Sequence, residues 1–160
     1  MSKAKKLYKS YNWIGEIANK TIIELQKTAG ILEEIHNTFF NQFDISSTKF
    51  NLLVILYNSS QDGITLSEIG EEMLVTKANI TGLVDRLEKQ GYVSRKRHSQ
   101  DRRKVIAAIT KQGRKFTEKV IREYKIWSKD VMTILNDEEK KQLLNLFNKL
   151  QRGLVSKNLV

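Results

Sequence analysis

The sequence predicts a mostly α-helical protein that contains one small β-hairpin. The chain of 160 residues has no proline and only 8 glycines, so long helices are permitted. Apolar residues recur every three or four positions over long stretches near both ends, which is typical of one face of a helix. Two short runs rich in β-branched and aromatic residues, 92–95 and 105–109, flank a polar stretch and predict the hairpin.

Two helices are predicted in the first third of the chain. The first is long and covers Ile14–Phe39, where the apolar residues are spaced so that they share one face. The second covers about 48–57, with Ser46 or Ser47 as its N-cap. An Asp-Gly pair at 62–63 then predicts a turn.

Two shorter helices follow, and a gap of only a few residues separates them. Residues 65–68 match the capping-box pattern, so a helix over 66–73 is expected. The next helix covers about 77–90; Thr76 is its predicted N-cap and Gly91 ends it in a left-handed turn. This spacing predicts a helix-turn-helix, and the hairpin that follows makes it a winged helix-turn-helix.

Two amphipathic helices complete the chain. Thr110 is the predicted N-cap of the fifth helix, and Asn136, with Glu139 three positions later, caps the sixth. Both carry an apolar stripe at helical spacing.

The positive charge is concentrated around the predicted wing. The formal net charge is +10, and the 28 residues from Lys77 to Lys104 contain nine cations and three anions, which is +6 of that total. Basic patches of this kind are typical of nucleic-acid binding, whereas charge that serves only solubility is spread more evenly.

The helix over 77–90 has the pattern of a recognition helix. Its apolar residues share one face that must pack against the domain, whereas the opposite face is small or polar near its start. Asn79 can pair with adenine and Lys77 can reach guanine or phosphate in the major groove. The alternative is an amphipathic surface helix with a solvated polar face.

The hairpin tip carries Asp101, Arg102 and Arg103. An arginine on a narrow ribbon can insert into the minor groove, and Asp101 can hold one arginine in place. The alternative is a solvated turn. A capped helix beside a doubly basic tip favours DNA binding. The residues predicted to contact DNA are Thr76, Lys77, Ala78, Asn79, Thr81, Arg86, Arg95, Arg97, Asp101, Arg102 and Arg103.

The sequence also argues against several classes of protein. There are no cysteines, so disulfides and zinc–thiolate sites are excluded within the chain. We find no catalytic or metal-ligand arrangement, so neither an enzyme nor a cofactor or metal is expected. The basic N-terminus lacks the apolar core of a secretory signal, and the longest apolar run is too short to cross a bilayer. A cytoplasmic protein that does not enter membranes is expected.

The segments 83–93, 101–103, 109–110 and 135–139 (LVDRLEKQGYV, DRR, IT and LNDEE) resemble the MarR family of bacterial transcriptional regulators. The resemblance implies a homodimer that binds a pseudo-palindromic operator on double-stranded DNA, usually as a repressor released by a small-molecule effector. It implies that Arg103 is the minor-groove residue and that Asp101 anchors it. It does not indicate which residues bind an effector.

The resemblance also implies how the chain is divided. Residues 1–45 and 111–160 would form a helical dimerisation region, and 46–110 the winged helix-turn-helix lobe. The alternative to a DNA-binding regulator is a winged-helix module that binds an acidic protein partner and has no operator of its own.

Overall fold

A computed structural model describes residues 15–60, 62–73, 77–97, 101 and 104–157. In chain order the elements are α1 (Ile17–Asn41), α2 (Ser47–Asn58), β1 (Ile64–Thr65), α3 (Leu66–Met73), α4 (Lys77–Lys89), β2 (Val93–Arg97), β3 (Val105–Ile109), α5 (Lys111–Val131), a 3-10 turn (Met132–Ile134) and α6 (Asp137–Ser156). The mostly helical fold with a small hairpin is therefore confirmed.

The chain divides within α5, between Thr117 and Glu118, into two compact units. The first unit contains α1 to α4, the sheet and the start of α5, and the second contains the remainder. This division reflects contacts within a single chain. It therefore differs in kind from the predicted dimerisation region, which is defined by contacts between two chains.

The sheet has three antiparallel strands in the order β1-β3-β2. The hairpin of β2 and β3 is as predicted, whereas the sequence did not predict β1, because two residues are too few to show an alternating pattern. Gly63 precedes β1 with φ 80°, and a Cβ there would lie 2.2 Å from the carbonyl oxygen of Ala107. Only glycine therefore allows β1 to approach β3 this closely.

Side chains cap the helices at several predicted positions. Ser46, rather than Ser47, caps α2 by accepting a bond from the Lys49 amide at 3.3 Å. Residues 65–68 form the predicted capping box of α3, and Asn136 and Glu139 form that of α6. The predicted cap of α4, Thr76, lies outside the described residues.

The apolar face of α4 packs into the core of the first unit. Ile80, Val84 and Leu87 are fully buried, together with core residues of α2 and α3. Gly91 ends α4 with φ 76°, and the Tyr92 amide donates to the Leu87 carbonyl at 2.9 Å. Such left-handed ends are favoured at glycine, as the sequence predicts. The orientation of α4 is therefore set by burial on one face.

The first turns of α5 belong to the same unit as the hairpin. The Thr110 hydroxyl accepts a bond from the Gly113 amide at 2.9 Å and donates to the Gly91 carbonyl at 2.7 Å. Tyr92 stacks on Phe116 with ring centroids 4.4 Å apart. The Arg114 guanidinium lies 4.7 Å from the centre of the Tyr57 ring. These contacts fasten the start of α5 to α2 and to the end of α4.

Both units carry large apolar side chains that are exposed to solvent in the single chain. In the first unit they lie on α1, and in the second they lie on α5, the 3-10 turn and α6. The most exposed are Ile17, Ile22, Ile31, Ile126, Ile134, Leu144, Leu146 and Val155. Large apolar side chains are unfavourable in water, so each unit carries candidate positions for contact with a partner.

Candidate nucleic-acid interface

Helix α4 presents a polar side chain close to its start. Asn79 is exposed in the first turn, while the neighbouring Ile80 is fully buried. The backbone amides of a first turn have no partner within the helix, so this end of α4 favours an anion such as a phosphate. Lys77 and Ala78 lie in the same turn, and their side chains are outside the described part of the structure.

Further along α4 the predicted residues differ in exposure. Thr81 is half-buried, and its carbonyl oxygen accepts a hydrogen bond from Arg95 at 3.0 Å. Arg86 is exposed in the last turn, together with Lys89. Cations at this position are stabilised by the negative end of the helix dipole. Arg86 can therefore stabilise α4 whether or not it also contacts DNA.

The hairpin adds exposed cations beside α4. Arg97, at the end of β2, is exposed, as are Lys96 and Lys104. The Lys96 ammonium lies 3.3 Å from the Asp62 carboxylate. Because both of these side chains are exposed, that ion pair contributes little to stability and does not prevent Lys96 from binding phosphate. The sequence prediction omitted Lys96 and Lys104, although their position in the basic segment could have indicated them.

The wing tip is only partly described. Asp101 is half-buried, and its carbonyl oxygen accepts a bond from the Lys104 amide at 2.9 Å. Arg103, the predicted minor-groove residue, lies outside the described residues, as do Arg102 and Thr76. Their roles, and the pairing of Asp101 with Arg103, therefore stay predictions.

Arg95 was predicted to contact DNA, but its guanidinium is turned towards α4. It forms an ion pair with Asp85 and lies 3.5 Å from the Glu88 carboxylate. The same group donates to the Thr81 carbonyl. The sequence could not show this arrangement, because it depends on how β2 packs against α4. A helical spacing of Asp85 and Glu88 beside a strand arginine was the available signal.

A small cleft of about 180 Å³ lies between the start of α3, α4 and the hairpin. Two hydroxyl-bearing residues, Thr65 and Ser67, line it together with Lys104 and the Arg95 side chain. The cleft therefore brings three elements of the winged lobe together around polar groups. Among the described residues, no group of three histidine, aspartate or glutamate side chains is placed so that it could hold a metal ion.

No helix within the described ranges is long and apolar enough to cross a membrane. The candidate interface thus consists of the exposed start of α4, the basic β2–β3 hairpin, and the ion pairs of Arg95 that join the two. Together with the amphipathic outer helices, it matches the winged-helix architecture that the sequence predicts.

Comparisons with known proteins identify the same family. The model of the MarR family matches residues 45–105. The HTH-type transcriptional repressor YetL of Bacillus subtilis is 32% identical over 123 residues, which are 74% of this chain and 74% of YetL. An uncharacterised HTH-type transcriptional regulator of Bacillus cereus is 30% identical over 127 residues, covering 79% of this chain and 83% of that protein.

Solved structures share the fold at lower sequence identity. A MarR-like transcription regulator from Bacillus cereus gives a TM-score of 0.77 at 23% identity, covering 87% of this chain and 99% of that one. The MepR–DNA complex of S. aureus gives 0.73 at 23% identity, covering 81% and 95%. The family match, the relatives and the winged helix-turn-helix agree, and the chain belongs to the MarR family of transcriptional regulators.

Proposed function

We propose that this protein is a dimeric, sequence-specific DNA-binding repressor of transcription. The observation that carries the proposal is the exposed start of α4 held beside a basic hairpin, in the segment that contains +6 of the net charge of +10. Membership of the MarR family supports it, as do the naming of YetL as a transcriptional repressor and the structure of MepR with DNA. We further propose that the protein is not an enzyme and that it acts in the cytoplasm, where its DNA target would lie.

In the proposed complex, α4 enters the major groove with its first turn leading. Asn79 would read a base edge, Lys77 would contact guanine or phosphate, and Thr76, Ala78 and Thr81 would lie at the groove. The wing would follow the backbone into the adjacent minor groove. There Arg103 would insert, held by Asp101, while Arg97 and Arg102 would neutralise phosphates.

Dimerisation would be supplied by residues 1–45 and 111–160. The exposed apolar side chains of α1 and α6 support this assignment, because a second copy of the chain would remove them from water. A two-fold dimer presents two copies of α4, which matches a pseudo-palindromic operator. A small-molecule effector would release the dimer from DNA, and we assign no residues to its binding site.

The proposal can be tested by selecting DNA fragments from the source genome with the purified protein. We expect fragments that share an inverted repeat and shift saturably in a mobility assay. Their affinity should fall steeply with salt: a plot of log K against log salt concentration should have a slope of roughly −0.9 for each phosphate contact. Absence of any sequence-selective shift at moderate salt would instead support a winged-helix module that binds an acidic protein.

Arg103→Ala tests the wing assignment. Loss of an arginine from the minor groove should weaken binding to a selected fragment by roughly ten- to hundredfold, because charge and groove contacts are both removed. Thermal unfolding should be unchanged, since the sequence predicts that Arg103 lies at a hairpin tip. Lys129→Ala, which removes one positive charge from α5 outside the proposed interface, is the matched control. Equal affinities of the two variants would overturn the wing assignment.

A further inference from the structure

We infer that Arg95 is a positioning residue that holds the wing at a fixed orientation against the recognition helix α4, through Asp85 and Glu88. This inference rests on the proposed DNA-binding function, and it gives Arg95 an indirect role in place of the predicted DNA contact. Arg95 acts on DNA through α4 and the hairpin rather than by touching a phosphate. The wing and α4 must reach two different grooves, so their relative placement determines whether both can bind at once.

The contacts of Arg95 span two turns of α4. Its Nη2 donates to the Thr81 carbonyl at 3.0 Å and pairs with the Asp85 carboxylate, and its Nε lies 3.5 Å from Glu88. Residues 81, 85 and 88 share one side of a helix, because successive side chains at steps of four and three lie above one another. Nη2 serves both Thr81 and Asp85, whereas Nε faces Glu88 at ion-pair distance without a hydrogen bond. A guanidinium supplies these two separated nitrogens, whereas a lysine side chain has only one.

The strand that carries Arg95 is fixed at the same point. Arg95 is the middle residue of β2 and pairs with Ala107 of β3, which is fully buried. The Arg95 side chain is only 23% exposed, whereas those of Asp85 and Glu88 are 48% and 43% exposed. The guanidinium is therefore the most shielded of the three charged groups, and it connects β2 to α4.

The charge of the cluster also argues against a direct phosphate contact by Arg95. One guanidinium faces two carboxylates, so the three side chains together carry a net negative charge. A phosphate brought to the same place would be repelled by Asp85 and Glu88. Those two carboxylates lower the affinity of the lobe for DNA electrostatically. In the positioning role they offset this cost by holding Arg95, and with it the wing, against α4.

A phosphate-contacting Arg95 and a positioning Arg95 predict opposite changes in DNA affinity when the carboxylates of Asp85 and Glu88 are removed. The double variant Asp85→Asn/Glu88→Gln removes two negative charges and releases Arg95. If Arg95 contacted phosphate, this variant would bind a selected operator fragment more tightly. If Arg95 positions the wing, we expect binding to weaken by about five- to tenfold, because the wing loses its fixed placement. The matched control is Glu71→Gln/Glu72→Gln, which makes the same charge change on α3.

A second measurement separates positioning from a general loss of stability. Arg103→Ala is combined with the double variant. Where the wing is already misplaced, removing Arg103 should cost less than it does in the wild-type protein, so the two effects are not additive. Arg95→Lys keeps the positive charge and should also weaken binding, since its single nitrogen cannot replace both Nη2 at Thr81 and Asp85 and Nε at Glu88. Thermal unfolding of each variant verifies that it is folded.

Tighter or unchanged binding by Asp85→Asn/Glu88→Gln, relative to the control, would overturn the positioning role and leave the proposed function intact. Strictly additive losses with Arg103→Ala would do the same. A wild-type protein that selects no fragment would overturn the proposed function itself, and this inference with it. Weaker binding together with a reduced effect of Arg103→Ala would support the positioning role.

Discussion

At the scale of single residues, two helical glycines differ in what an added methyl group would meet. A Cβ on Gly82 of α4 would have nothing within 4 Å, whereas one on Gly113 of α5 would lie 2.1 Å from the Tyr92 carbonyl oxygen. Glycine lowers helix stability in both elements, but only Gly113 permits a close approach of backbone. The two positions therefore form a matched pair.

We expect Gly82→Ala to stabilise the protein by about 0.5–1 kcal/mol, because alanine has the higher helix propensity and the site is open. Gly113→Ala should destabilise it by about 1–3 kcal/mol, since the added methyl group forces α5 away from Tyr92. Chemical denaturation of both variants measures the free energies of unfolding. A Gly113→Ala variant as stable as the wild type would show that α5 does not approach the Tyr92 carbonyl this closely.

At the scale of elements, Thr110 joins the end of α4 to the start of α5. Its hydroxyl caps α5 at the Gly113 amide and donates to the Gly91 carbonyl. One side chain thereby satisfies a backbone group of the turn after α4 and one of the first turn of α5, so its removal leaves an acceptor and a donor without their partners.

Thr110→Ala should lower the free energy of unfolding by about 1–2 kcal/mol, as expected for the loss of a helix cap. Thr110→Ser keeps the hydroxyl and should restore most of that stability. Denaturant unfolding followed by circular dichroism measures both. If serine restored nothing, the methyl group rather than the hydroxyl would be the contributor, and the capping explanation would be contradicted.

At the scale of the whole molecule, the apolar side chains of the outer helices are exposed in the single chain and would be covered in a dimer. Leu150 and Leu154 of α6 remain 41% and 37% exposed in the single chain. If they are covered by a second copy, Leu150→Glu would bury an unpaired charge twice in a symmetric interface. The dimer dissociation constant should then rise by at least about tenfold.

Sedimentation velocity over a range of concentrations would measure this shift. Gln151→Glu introduces the same charge at the next residue, which is exposed and polar, and serves as the control. A Leu150→Glu protein with the dissociation constant of the wild type would place the dimer interface elsewhere. DNA binding should weaken in parallel with dissociation, because a monomer reaches only one half-site.

Much of the fold could be predicted because its signals are local. Hydroxyl and amide caps such as Asn136, the left-handed turn at Gly91 and the apolar face of α4 each depend on residues only a few positions apart. The strand β1 escaped prediction because it exists only by pairing with β3, more than forty positions later along the chain.

For this protein, the sequence by itself determined the class of fold, the basic segment and the candidate recognition helix, because charge and periodicity are properties of the chain. The tertiary structure decided how the described basic residues of the hairpin are paired. It turned Arg95 towards Asp85 and Glu88 while leaving Arg97 exposed, although both lie on β2. The physical reason is packing. Arg95 and Arg97 share one face of β2, because they are two positions apart, but Arg95 lies where the strand contacts α4 and its charge is paired there, whereas Arg97 is exposed at the end of the strand.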